Sequence, residues 1–269
     1  MKIPWLALIL AGTTAFLFVI LFGPSVIRLL TKLKLGQTVR TDGPKTHHKK
    51  TGTPTMGGVL ILFGITAGTI AGLSGHWSNN LRWTLFLTLG YGALGFLDDL
   101  LNILFHRSLG LKARYKLLGQ VFFAGLFGLY VVQSGVMETL KIPYFSTHLA
   151  FINPVLTFLF VVFTLVAMSN AVNLTDGLDG LAGGTTLIAG VAMGILALLQ
   201  GETGLATFAA ALVGACLGFV WFNAPPAQVF MGDTGALALG GALGAIGILS
   251  RTALFLPVIG GIFVAENLS

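Results

Sequence analysis

Long apolar runs separated by short polar stretches dominate the chain. They cover 5–30, 55–73, 81–105, 117–136, 152–172, 178–199, 205–222, 236–249 and 253–268. A helix needs roughly 20 such residues to cross a bilayer. The runs are continuously apolar and lack the alternation of a barrel strand, so helices are the expected element. The eighth run is short unless it begins near Asp233. The first run has no small-residue cleavage site and is followed by further spans, so it reads as a membrane helix and not a cleaved leader. The expectation is an all-α, polytopic membrane helix bundle of about nine spans, forming one domain over 1–269.

Composition agrees. The 269 residues are 55% hydrophobic and 9% charged, with a mean hydropathy of +0.91. A soluble domain carries about a quarter of its residues as charges, which excludes a water-soluble enzyme or a disordered tail. The net charge of +6 does not point to nucleic acid, because the basic residues sit in short loops between apolar runs. Arg28, Lys32, Lys34, Arg40, Lys45, Lys49 and Lys50 flank the end of the first run, and Arg107, Lys112, Arg114 and Lys116 follow the third. Only Lys2, Arg82, Lys141 and Arg251 fall on the opposite side. Positive charge marks the cytoplasmic side, so the N-terminus is expected outside. Trp5, Trp77, Trp83, Tyr130 and Tyr144 then lie near the outer boundary as an aromatic belt. The single cysteine, Cys216, excludes an intramolecular disulfide. Glycines spaced by four (Gly64, Gly68 and Gly72; Gly190 and Gly194; Gly214 and Gly218; Gly240 and Gly244) let helix backbones approach. Packing within the bundle is the first reading of that spacing and a homodimer the second.

The nine acidic residues can be placed one by one. Asp98 and Asp99 end the third run, Asp176 and Asp179 follow the fifth, Asp233 precedes the eighth, and Asp42 lies in the first basic loop. All six face the same, cytoplasmic side; Glu138 and Glu202 lie opposite, and Glu266 is near the chain end. Carboxylates beside membrane helices are costly and mark functional sites by default. Adjacent aspartates repel unless a cation or a shared proton relieves them. A divalent metal held by one or two carboxylates and substrate phosphates does this economically. The plainer alternative pairs Asp98 and Asp99 with Arg107 or Lys116. In NAVNLTDGLDG, Asn173, Asp176 and Asp179 are three apart, and a continuing helical turn would set them on one face; helix capping by one aspartate is the alternative. In WFNAPPAQVFMGDTG, Pro225 and Pro226 should break the seventh helix, and Asp233-Thr234-Gly235 could cap the eighth. Phe230 fits either a core position or a stacking platform. Gly52-Thr53-Pro54-Thr55, beside Lys45 and Lys49, could cradle phosphate. His47 and His48 read as surface residues. Together these features fit a metal-assisted reaction of a phosphorylated polar substrate with a lipid.

GTPTMGG at 52–58, LGFLDDL, ARYK at 113–116, NAVNLTDGLDGLAGG and NAPPAQVFMGDTGALALGG together resemble the polyprenyl-phosphate N-acetylhexosamine-1-phosphate transferases. The resemblance runs over essentially the whole chain. GTPTMGG and NLTDGLDGLA favour the branch acting on muramoyl-pentapeptide over the GlcNAc-1-phosphate branch. It implies transfer of phospho-MurNAc-pentapeptide from UDP-MurNAc-pentapeptide to undecaprenyl phosphate, with Mg2+, at the cytoplasmic side of the bacterial inner membrane. It further implies that Asp98 is the base activating the lipid phosphate, with Asp99 supporting it. Asp233 would bind Mg2+, with Asp176 and Asn173 lining the metal and diphosphate region. Asp179, Asn223 and Phe230 would hold the uridine, while Lys50, Lys116 and Thr55 would line the nucleotide and phosphate pocket.

The family continues past the ninth span into a histidine-bearing loop and a tenth helix, whereas this sequence stops at AENLS. Ala236 also stands where the family often has Ser. Two rivals remain at this point: a GlcNAc-1-phosphate transferase, and an ion-coupled transporter, which needs carboxylates near the bilayer midplane. The 269-residue form is expected to keep the core and the aspartate site but to turn over slowly. UMP release at the family's usual rate would refute that.

Overall fold

The computed structural model describes residues 4–33, 52–73, 77–105, 110–143, 145, 148–150 and 153–268. Lys50, Asp42, His47, His48, Arg107 and Tyr144 lie outside the described residues. Seven helices are long and apolar enough to cross a membrane: α1 Trp5–Lys32, α3 Asn79–Leu104, α4 Ala113–Ser134, α5 Pro154–Thr175, α6 Leu181–Leu199, α7 Thr203–Asn223 and α8 Gly232–Leu249. The second run forms a shorter apolar helix, α2 Gly58–Gly72.

Local signals set several ends. Ser78 caps α3 by accepting the Leu81 N–H, and Asn153 caps α5 just before Pro154. Gly135 closes α4 at φ 63°, in the left-handed region that favours glycine. Asn223 ends α7 one residue before the proline pair. The eighth helix does start near Asp233, at Gly232.

Three features depart from the sequence-based expectation. The ninth run is not one helix; it divides into a 3-10 turn, Ala253–Phe255, and two short helices, α9 Leu256–Ile259 and α10 Gly261–Leu268. Pro257 and the Gly260-Gly261 pair interrupt it. A two-stranded antiparallel ribbon, β1 Thr139–Lys141 and β2 His148–Ala150, lies between α4 and α5, with Thr139 opposite Ala150. α5 stops at Thr175, so Asn173, Asp176 and Asp179 do not share one helical face. Gly177 and Gly180 (φ 79°) turn the chain there before α6.

α8 is the central helix, packed by α3, α5, α6 and α2. Every one of its residues except Asp233 is buried. A helix can be enclosed all round only if its side chains are small or apolar everywhere, and GDTGALALGGALGAIGIL meets that condition. The outer layer pairs α1 with α7 and α2, and α7 with α6. The four glycine series all face neighbouring helices of the same chain. Gly214 sits on the Gly12 backbone, Gly68 on Ala11 and Ala15, Gly190 on Leu212 and Val213, and Gly240 on the Met168–Ser169 backbone. Large apolar side chains of α1, α5 and α6, among them Leu21, Phe163 and Ile188, point outward, as lipid-facing residues do.

Gly240→Ala should therefore lower stability by about 1–3 kcal/mol, because backbone atoms of α5 stand where the methyl would go. Gly184→Ala, which meets nothing within 4 Å, should be neutral or stabilising. Thermal unfolding of the two variants in detergent micelles checks the contrast.

Candidate active site

The N-terminus of α8 opens at the end of the bundle where α3, α5 and α7 finish and α2, α4 and α6 begin. The first N–H groups of a helix have no partner within it, and inside a bundle water cannot serve them. Asp99, from the far end of α3, takes that role. Its Oδ1 accepts the Asp233 N–H at 3.1 Å, and its Oδ2 accepts the Thr234 N–H at 3.0 Å and the Thr234 hydroxyl at 2.6 Å. The Gly232 N–H is directed at Asp176. Asp233-Thr234-Gly235 thus does not cap its own helix: the caps come from other segments.

Three glycines make this approach possible. A side chain at Gly95 would run into the Asp233 carbonyl, and one at Gly58 into the Gly235 backbone. Gly232 has φ 73° and lies against Asp99 and the Thr55 hydroxyl. The GTPTMGG stretch joins the same junction: Phe230 N–H donates to Pro54 O, Gly57 N–H to Phe230 O and Gly58 N–H to Met231 O, each at 2.8 Å. The amides of Gly57 and Gly58 are therefore used within the protein. Thr55 is 3% exposed, and its hydroxyl has no partner among the described residues.

Asp98 is one residue from Asp99 but serves differently. Its Oδ1 accepts the Leu111 N–H at 2.5 Å, and its Oδ2 lies 4.0 Å from Lys116 Nζ and faces the Asp233 carboxyl group. Lys116, on the first turn of α4, donates to Asp233 Oδ2 at 2.5 Å and to Asn173 Oδ1 at 3.2 Å. Asn173 donates to Asp233 Oδ1 at 2.6 Å, closing a triangle of α4, α5 and α8. Asp176 is pushed well above the usual carboxylate range, first by loss of solvent and then by the negative charges of Asp233 and Asp99.

The residues expected to hold uridine form the neighbouring rim. Asp179 Oδ2 accepts the Ala227 N–H at 3.3 Å. Asn223 is buried, and both ends of its amide are occupied: Oδ1 accepts the Gly180 N–H and Nδ2 donates to Val229 O, each at 2.9 Å. It joins the loop after α5 to the loop after α7. The Phe230 ring is half-buried on that second loop.

Among the described residues no group of three His, Cys, Asp or Glu side chains encloses a metal ion. The donor chemistry still suits a hard divalent cation. Asp98 and Asp233 flank the Lys116 ammonium group, and Asp176 lies within the electrostatic reach of Asp233, Asp99 and Asp179. An ion of this kind takes one or two carboxylates and completes its shell with water and phosphate oxygens. Sequence reasoning missed a further polar group beneath the site, Tyr91, Gln120, Ser169 and Asn170. Its signal was the position of Gln120 four residues after Lys116, and of Ser169 and Asn170 one turn before Asn173.

Residues 81–251 match the family model of glycosyl transferase family 4, and residues 50–62 match signature 1 of phospho-N-acetylmuramoyl-pentapeptide-transferase. A phospho-N-acetylmuramoyl-pentapeptide-transferase of Geobacillus kaustophilus is 48% identical over 274 residues, spanning 99% of this chain and 82% of that protein. Proteins of the same name from Desulforamulus reducens and Bacillus subtilis are 49% and 48% identical, over 97% and 94% of this chain and 79% and 78% of their own lengths.

The two adjacent aspartates should separate cleanly on mutation. Asp99→Ala strips three hydrogen bonds from the α8 terminus and should destabilise by several kcal/mol, since each bond to a charged group contributes about 1.5–3 kcal/mol. Asp98→Asn should leave the melting temperature near that of the wild type. Equal melting temperatures for the two variants would contradict this division.

Proposed function

The chain belongs to the phospho-N-acetylmuramoyl-pentapeptide-transferase family, and from that premise we propose that it makes lipid I. It is a multi-pass membrane transferase. In the proposed reaction phospho-MurNAc-pentapeptide passes from UDP-MurNAc-pentapeptide to undecaprenyl phosphate, with Mg2+, releasing UMP. The convergence of Asp98, Lys116, Asn173 and Asp233 at one end of the bundle is the observation that supports it most.

The roles follow from which atoms are already engaged. Asp98 Oδ1 is anchored by the Leu111 amide, so Oδ2 is the oxygen that takes the proton of the lipid phosphate. The freed phosphate oxygen then attacks the phosphorus attached to the sugar, and the bridging bond to UMP breaks. Lys116 stands where it can meet charge on the diphosphate, and Asn173 holds Lys116 and Asp233 in register. Mg2+, held by Asp233 with Asp176 and Asn173, would supply charge neutralisation on the diphosphate. Asp179 and the Phe230 ring form the rim for the uridine, with Asn223 shaping their loops. Lys50 and Thr55 are assigned to the nucleotide and phosphate pocket by the family resemblance.

Among the described residues, Arg28 and Lys32 on the last turns of α1 and Lys112, Arg114 and Lys116 at the start of α4 belong to the site's end of the bundle, which supports a cytoplasmic site in the bacterial inner membrane and an outside N-terminus. The described aspartates, all at that end, do not suit a midplane transport path.

Purified protein given both substrates should release UMP only when Mg2+ is present, and UDP-GlcNAc should compete poorly. Asp98→Asn and Asp233→Asn should each abolish release while remaining folded. Activity kept in both variants would refute the assigned roles, and efficient use of UDP-GlcNAc would move the protein to the sister branch.

A further inference from the structure

Directly beneath the Lys116–Asn173–Asp233 triangle lies a second polar layer, wholly inside the apolar bundle. Gln120 is 1% exposed and one helical turn from Lys116 on α4. Its Nε2 donates to Ser169 Oγ at 2.9 Å, and its Oε1 accepts the Asn170 Nδ2–H at 3.1 Å. Its main-chain carbonyl accepts the hydroxyl of Tyr91 on α3, which is 0% exposed, at 3.1 Å. One amide therefore grips two successive residues of α5 while its own backbone is held from α3. α5 is held in turn by α8, because Gly240 presses on the Met168–Ser169 backbone.

A shift of α4 along α5 would break both amide bonds at once. The same shift would carry Lys116 away from Asn173, which lies one turn beyond Ser169 and Asn170. A lysine side chain is long and has many rotamers, so its head stays between two acceptors only if its backbone is fixed. Polar side chains this deep in an apolar bundle are uncommon and need a reason. Holding the two helices together is too general a reason, because apolar packing between α4 and α5 could do that.

We infer that Gln120 is a positioning residue: its amide fixes the register of α4 on α5 and so holds Lys116 Nζ between Asn173 and Asp233. The turnover consequence rests on the transferase reading; the placement of Lys116 does not.

Two readouts test it on the full chain in detergent or nanodiscs. Gln120→Met keeps an unbranched side chain of similar length and removes both amide bonds. Ser169 and Asn170 retain their bonds to the Val166 carbonyl, so the helix keeps its local partners. The first readout is labelling of Lys116 by a small amine-acylating reagent, measured by mass spectrometry against exposed Lys112 in the same molecule. It should rise severalfold in Gln120→Met, with Lys112 unchanged. The second is turnover: kcat should fall roughly 10- to 100-fold while KM stays near the wild-type value, as expected when a group at the reacting centre is misplaced. Asn170→Ala, which removes half of the clamp, should move both readouts in the same direction by less, and it serves if Gln120→Met fails to fold. Unchanged Lys116 labelling in a folded variant overturns the proposal, as does released Lys116 with undiminished kcat. A wild-type protein that labels as expected but releases no UMP would sink the transferase reading and leave the clamp standing.

Discussion

The buried N-terminus of α8 is the constraint on which the site depends. A helix enclosed by four others cannot leave its first amides to water, and unsatisfied donors in an apolar bundle cost several kcal/mol each. Asp99 and Asp176 provide the acceptors from α3 and from the end of α5. A carboxylate at a helix N-terminus is also favoured by the helix dipole. Anchoring the central helix thus draws three separate chain segments into one junction, and glycines at 58, 95 and 232 let their backbones close on it. The site is built on that junction.

Within it, neighbours in sequence do different work. Asp99 spends both oxygens on α8, whereas Asp98 keeps one oxygen facing Lys116 and Asp233. About 100° of rotation about α3, the angle between consecutive helical residues, separates the carboxylate that caps α8 from the one that faces Lys116. Lys116 is flanked by Asp98 and Asp233, while Asp99, Asp176 and Asp179 add negative charge nearby, which a divalent cation and the helix dipole would relieve. The polar layer beneath, with Gln120 at its centre, lends rigidity to a site whose principal cation is carried on a flexible side chain.

The sequence was most legible where composition or local stereochemistry acts alone. Apolar run length marked the helices, and the proline pair at 225–226 appears as a break where it was expected. It was least legible where partners come from far along the chain. Asn223 carries a site-like motif but is consumed by two backbone groups, and Thr55 is buried beside Gly232. The ribbon at 139–150 is too short to show a period, and the interruption of the last run depends on one proline and two glycines in an otherwise apolar stretch.

The sequence by itself determined a multi-pass helix bundle, the sidedness of its charges and the five aspartates of its candidate site. Hydropathy and charge are sums over residues and need no knowledge of neighbours. Only the tertiary structure decided which aspartate caps a helix, which one faces Lys116, and why Gln120 lies inside an apolar run. Those distinctions rest on hydrogen bonds between atoms up to 135 residues apart. Such bonds exist only once the packing of α8 has fixed which helix ends meet.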